Sequence, residues 1–139
     1  EKAFKVGGSF KTDMFAVNLV IENTTDTVAL TGSDTKIRNI YVAGQYNISS
    51  SDAVKVALTK TGDMKVAGVT SASSGAKQLT VGYDHMMSKR TTVYALYTKL
   101  SNSTNGTYEL TGAGTSAAGL ASTANAKPSA FSVGMKHSF

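Results

Sequence analysis

The stretch from Ser129 to Phe139, SAFSVGMKHSF, alternates hydrophobic residues with small or polar ones and closes on an aromatic. Phe131, Val133, Met135 and Phe139 take one parity; Ser132, Gly134, Lys136 and Ser138 take the other. A period of two marks a β-strand with two unlike faces. A terminal segment ordinarily frays, so an aromatic held at its very end calls for a physical reason.

The same period recurs upstream, and no period of 3.6 does. FAVNLVIEN sets Phe15, Val17, Leu19 and Ile21 against Ala16, Asn18, Val20 and Glu22. IYVAGQYNI sets Ile40, Val42, Gly44, Tyr46 and Ile48 against Tyr41, Ala43, Gln45 and Asn47. AVKVALTK separates Val54, Val56 and Leu58 from Lys55, Ala57 and Thr59, and QLTVGYD separates Leu79, Val81 and Tyr83 from Gln78, Thr80, Gly82 and Asp84. AFKVGGSF gives Phe4, Val6 and Phe10 against Lys5, Gly7 and Ser9. In TTVYALYTKL the favoured apolar set is Val93, Ala95 and Tyr97, with Tyr94 and Leu96 contesting it. The pattern predicts about seven strands of roughly 8–11 residues. Short turns fall at KTDM, SSSD and MMSKR. Long polar or small-residue segments fall at 23–36, 61–75 and 101–129. Hairpins closed by a short turn at one end and a long loop at the other are therefore expected. Three long loops on one edge are unusual in a globular domain, and disorder is the simplest alternative for each.

A soluble sandwich also alternates. Here, however, the polar face is rich in Gly, Ala, Ser, Thr, Asn and Gln and carries only scattered charges, whereas soluble surfaces are denser in Lys and Glu. Transmembrane barrels invert the pattern, with apolar side chains toward lipid and small or polar ones toward a wet interior. The residues favour an all-β antiparallel transmembrane barrel. Tyr46, Tyr83, Tyr97 and Phe139 fit a membrane-interface girdle; packing on a sandwich edge is the plain alternative. No run of 18 apolar residues exists, so no helix is expected to cross a membrane. The start EKAFKVGGSF lacks a basic start and an apolar core, which leaves a chain that is cytosolic, already processed or a fragment.

VGYDHMMSKRTTVYALYTKLSNSTNG resembles a hairpin of Gram-negative general-diffusion porins, particularly the betaproteobacterial branch, where VGxDYxLSKRTxxYAxY precedes a variable loop. AFSVGMKHSF is similar to that branch's closing VGxRHxF strand, and KAFKVGGSFKTDMFAVNLVIE resembles a porin hairpin less specifically. Met86, Met87 and Lys136 depart from the pattern. The resemblance implies passive diffusion of small hydrophilic solutes through a homotrimer of 16-stranded barrels in the bacterial outer membrane. It also implies a constriction narrowed by an inward third loop, contact with outer-membrane lipid and lipopolysaccharide, and a terminal aromatic read by the assembly machinery.

Hairpin parity adds a further expectation. Barrels of this kind keep short turns periplasmic and long loops outside, and bacterial ones have even strand numbers. Seven strands counted back from an inward-running last strand start outside. Residues 1–139 then read as the carboxyl-terminal portion of one barrel domain, whose amino-terminal portion is a partner. An extra strand around GTYELTG would change that count. Two alternatives stay open: a complete small eight-stranded barrel with a structural or adhesive role, and a soluble all-β binding module.

No catalytic constellation is found, and no enzyme, cofactor or metal is expected. The chain has no Cys, and its two histidines, His85 and His137, lack ligand spacing. His137 reads as interfacial. Asp13, Asp52 and Asp84 lie in or near turns, where Asx capping is the expected role. TGAGTSAAG has no P-loop lysine. The formal charge of +5 is dispersed, which argues against nucleic acid. Candidate pore-lining residues are Lys5, Asn18, Glu22, Gln45, Lys55, Gln78, Asp84 and Lys136. Lys5, Lys55 and Lys136 against Glu22 and Asp84 suggest a mild anion preference; solvated wall lysines far from any constriction are the alternative.

Overall fold

The computed structural model describes residues 1–27, 32–110 and 123–139. Its strands are β1 (Lys2–Lys11), β2 (Phe15–Thr27), β3 (Asp34–Asn47), β4 (Asp52–Thr61), β5 (Lys65–Val66), β6 (Val69–Thr70), β7 (Ala76–Ser88), β8 (Thr91–Asn102) and β9 (Ser129–His137). Every pairing is antiparallel, and the main sheet runs β1-β2-β3-β4-β7-β8-β9. Spatial order thus equals chain order, as in an up-and-down meander. The sheet does not close; β1 and β9 are its free edges.

The three short turns sit at one end of the meander. Thr12 closes the first, its Oγ1 accepting from the Phe15 amide (3.0 Å). In the second, the amides of Ile48 and Ser49 donate to the Asp52 carbonyl. At the third, Ser88 Oγ accepts from the Arg90 amide, after a register shift between Met86 and Ser88. The other end differs from the expected long loops in two ways. β2 and β3 run on through Thr27 and from Asp34, so most of segment 23–36 is strand. Segment 61–75 contains the β5–β6 hairpin, which pairs with β3. Its turn, Ala67-Gly68, has φ of 49° and 83°, the left-handed pair that a type I′ hairpin requires. Around GTYELTG, residues 106–110 form no strand, and 111–112 lie outside the described residues.

Cross-strand register settles the faces. Val93, Ala95 and Tyr97 align with Met135, Val133 and Phe131 on one side and with His85, Tyr83 and Val81 on the other. These rows continue through Val54 and Val56 to Tyr46 and Gly44, and on to Phe15 and Val17. One face is therefore a continuous apolar sheet. It is uncovered: Phe131, Val133 and Met135 keep 69%, 68% and 66% exposure. Among the described residues the only buried hydrophobics are Ala76 and Leu100. A soluble sandwich needs a second layer over such a face. None is present among the described strands.

The apolar band crosses the hydrogen-bonded rows obliquely. Phe131, the loop-side end of the band on β9, is linked row by row through Tyr97, Val81, Val56, Gly44 and Val17 to Phe10. The loop-side end on β1 is Phe4. The band thus slips by about one residue per strand. With a rise of roughly 3.4 Å and a strand spacing of roughly 4.8 Å, its long axis lies about 35° off the rows. That is the strand tilt of a membrane barrel. Its thickness agrees. On the outer face Asp52 and Lys60, His85 and Lys77, and Thr91 and Lys99 bracket three apolar positions each. The bracketing polar residues stand eight rises apart, which at that tilt puts about 22 Å between them, a spacing that matches the apolar height of outer-membrane barrels.

Candidate functional site

The opposite face is built largely from small and polar residues, with Val20, Ile37, Tyr41, Tyr94, Leu96 and Leu100 set among them. All eight candidates, Lys5, Asn18, Glu22, Gln45, Lys55, Gln78, Asp84 and Lys136, fall on it by register. Its charges are largely matched. Lys5 Nζ lies 3.0 Å from Glu22 Oε1, and Lys55 Nζ bonds Asp84 Oδ2. Lys136, opposite Thr92, has no acidic partner among the described residues. Neutral groups bond along the wall: Gln45 Nε2 donates to Asn47 Oδ1 (2.9 Å), Gln78 Nε2 to Thr98 Oγ1 (3.1 Å), and Thr80 and Thr98 share a bond of 2.9 Å. Asn18 lines a depression with Gln45, Lys55, Tyr41 and Thr80.

Asp84 differs from its expected capping role: it sits inside β7 and pairs with Lys55 across the strands. Asp13 contributes its backbone, its carbonyl accepting from Asn47 Nδ2 at 2.8 Å. Asp52 does bond into its turn, accepting from Ser49 Oγ. The same carboxylate accepts from Tyr83 Oη and meets His85 Nδ1 at 2.8 Å, on the outer face just past the apolar band. Thr91 and His137 share a bond of 2.9 Å in the next row, and His137 stacks edge-on to Phe139 at 4.9 Å. Among the described residues no three metal-ligating side chains converge. Of the aromatic candidates, Tyr46, Tyr83 and Phe139 lie toward the short turns, whereas Tyr97 is the last outward-facing apolar residue of β8 on the loop side.

One residue at the wall escaped the pattern. Tyr108 lines a cavity over the inner face with Lys5, Glu22, Asn39, Tyr41, Thr59 and Thr61. Asn102 places it: Nδ2 donates to the carbonyls of Tyr108 (2.9 Å) and Ala126 (3.0 Å), and Oδ1 accepts from the Tyr108 amide (2.9 Å). Loop 62–75 is tied into the same cap. Ser74 Oγ accepts from the Met64 amide, Asp63 Oδ1 from the Gly75 amide, and the Ala72 carbonyl from Asn105 Nδ2. Burial, with the Asp63 carboxylate nearby, pushes the Tyr108 phenol above its ordinary range. The turn signal Asn105-Gly106 marks the loop, but no local pattern announces where its tyrosine comes to rest.

A tilted, two-faced, antiparallel sheet with a lipid-height apolar band and a hydrated opposite wall defines a transmembrane β-barrel wall. A family model described as Gram-negative porin matches residues 1–106. The chain belongs to the Gram-negative porin family. That family places it among channel-forming proteins of the bacterial outer membrane. Comparison with curated proteins finds no match.

Proposed function

We propose that residues 1–139 form the carboxyl-terminal part of a larger barrel, in a homotrimeric pore that passes small hydrophilic solutes and ions by passive diffusion. The observation that carries this reading is the pair of unlike faces on one open sheet: closure by further strands would pair the free edges of β1 and β9 and enclose the polar wall. The eight candidates named above then line water, and Tyr46, Tyr83 and Tyr97 lie at the edges of the lipid. Phe139 serves as the terminal aromatic offered to the assembly machinery.

A mild anion preference follows from the excess positive charge of this wall. Glu22 and Asp84 offset Lys5 and Lys55, Lys11 and Asp26 on the same face cancel in the sum, and Lys136 is the net excess. Purified full-length trimer in a planar bilayer tests both statements. Ohmic, water-filled conductance supports a diffusion pore, and its absence sinks that reading. In a salt gradient the reversal potential should show weak anion selectivity. Lys136→Gln should shift it toward cations, and the double change Lys5→Gln/Glu22→Gln should leave it in place. Cation selectivity, or no response to Lys136→Gln, contradicts the charge argument.

A further inference from the structure

Two adjacent rows at the loop-side end of the inner wall differ in kind. The row nearer the loops runs through Lys5, Glu22, Asn39 and Thr61 on β1, β2, β3 and β4. Every side chain in it forms hydrogen bonds. The next row toward the turns runs through Val20, Tyr41 and Thr59, and sets an aromatic ring beside an aliphatic side chain. Tyr108, brought in by the loop after β8, borders an open cavity of about 480 Å³ over both rows. That volume falls within the range of small-molecule sites, roughly 300–1,000 Å³.

The charges of this cavity offset each other. Lys5 Nζ lies 3.0 Å from Glu22 Oε1, so a charged solute gains little field there and must compete with the pair. One such contact still leaves the ammonium with further hydrogens and the carboxylate with further lone pairs. The chemistry that fits is a neutral molecule with hydroxyl groups along its edge and C–H groups on its face. Ring sugars have that form: their hydroxyls meet the polar row, and their C–H faces meet tyrosine rings, which join an apolar body to a polar tip. Four strands at a spacing of roughly 4.8 Å make the polar row roughly 14 Å long, enough for two linked rings. Tyr108 is also held in advance. The buried Asn102 bonds both its amide and its carbonyl, and Asn105 ties the same loop to the Ala72 carbonyl. Backbone fixed before the solute arrives lowers the entropic cost of binding.

We propose that this loop-side cavity is a binding station for neutral saccharides on the path through the pore. Tyr41 and Tyr108 supply the ring faces, while Lys5, Glu22, Asn39 and Thr61 supply hydrogen bonds to the hydroxyls. The inference rests on the porin reading, which makes this face the wall of a water-filled passage, and deepens it by naming a solute class and the residues that hold it.

The test uses the full-length trimer in a planar bilayer, with single-channel conductance recorded as solute is added to both sides. The probes are maltose, a polyethylene glycol of equal hydrodynamic radius, and glycylglycine, whose charged ends would engage Lys5 and Glu22 instead. Maltose should lower the conductance along a saturating curve, whereas the polymer and the dipeptide should lower it only in proportion to their concentration. Tyr108→Ala and Tyr41→Ala should each raise the half-saturating maltose concentration about fivefold, and Tyr108→Phe, which keeps the ring, by less than about twofold. Tyr94→Ala, which removes an inward tyrosine nearer the turns, should leave it in place. Where neither alanine variant of the station folds, Asn39→Ala should weaken the maltose effect about threefold. A maltose response no different from the polymer's, unchanged half-saturation in the station variants, equal weakening in Tyr94→Ala, or a tighter saturating response to glycylglycine would each overturn the proposal. A conducting trimer with any of those results refutes the saccharide station alone; a protein that forms no channel refutes the pore.

Discussion

Replacing Gly134 by Ala gives the sharpest test of the register on which the faces depend. Gly134 lies directly opposite Tyr94 on the inner face. A Cβ there would stand 2.5 Å from Tyr94 Oη, 2.6 Å from Cζ and 2.9 Å from Cε1. The phenol ring therefore covers the glycine and must swing away for alanine. Displacing it forfeits a cross-strand contact of about 0.2–1 kcal/mol and forces a strained rotamer at about 0.5–1.5 kcal/mol. Alanine in a strand otherwise gains about 0.5–1 kcal/mol over glycine. The signs then differ by background. Gly134→Ala should destabilise the wild-type barrel by roughly 1 kcal/mol and stabilise a Tyr94→Ala barrel by about 0.5–1 kcal/mol, a coupling of roughly 1.5 kcal/mol. Urea titration of the full-length porin in lipid vesicles, with the folded fraction read by heat-modifiable gel mobility, measures all four corners. A stabilised Gly134→Ala single variant, or an equal loss with and without the tyrosine ring, would refute the packing and the register behind it.

Two further expectations concern the loop-side cap. Asn102→Ala removes three hydrogen bonds, which at about 0.5–1.5 kcal/mol each should cost roughly 2–3 kcal/mol locally. Hydrogen exchange should show about a 30- to 150-fold loss of protection around residues 103–108, with strand amides of β3 and β4 unchanged. The Tyr108 phenol, raised above its ordinary 10.0 by burial and by Asp63, should stay protonated after free tyrosines have ionised. Because the folded value is the higher one, the cap keeps its full stability below pH 10 and loses it as pH rises through the raised value. Ultraviolet titration should lose one late-ionising phenol in Tyr108→Phe; an unchanged titration curve contradicts the buried placement.

Much of the wall was legible because a lipid-facing strand imposes period two over its whole membrane height. The seven long strands, their turns and the assignment of Val93, Ala95 and Tyr97 all follow from that constraint. Beyond the band the constraint lapses. Thr24 to Thr27 and Asp34 to Lys36 are polar on both sides, so they read as loop although the ladder continues through them. The β5–β6 hairpin is too short to show a period, and Ala67 is not a residue that advertises a left-handed turn. Among the candidate residues, parity sufficed to put all eight on one face. It could not show that Asp84 meets Lys55, since that depends on the stagger between β4 and β7. Tyr108 was invisible for a deeper reason: its position is set by the amide of Asn102, a contact across the loop rather than along a strand.

The central claim is that one face of this sheet meets lipid and the other meets water. Residues 1–139 contain no cysteine, so single cysteines along β4, in a full-length porin with any cysteine outside these residues replaced, report each side chain separately. In intact outer membranes, a small charged thiol reagent should label Lys55→Cys, Ala57→Cys and Thr59→Cys and spare Val54→Cys, Val56→Cys and Leu58→Cys, which a lipid-soluble maleimide should label instead. Uniform labelling along the strand, or the opposite alternation, would contradict the account.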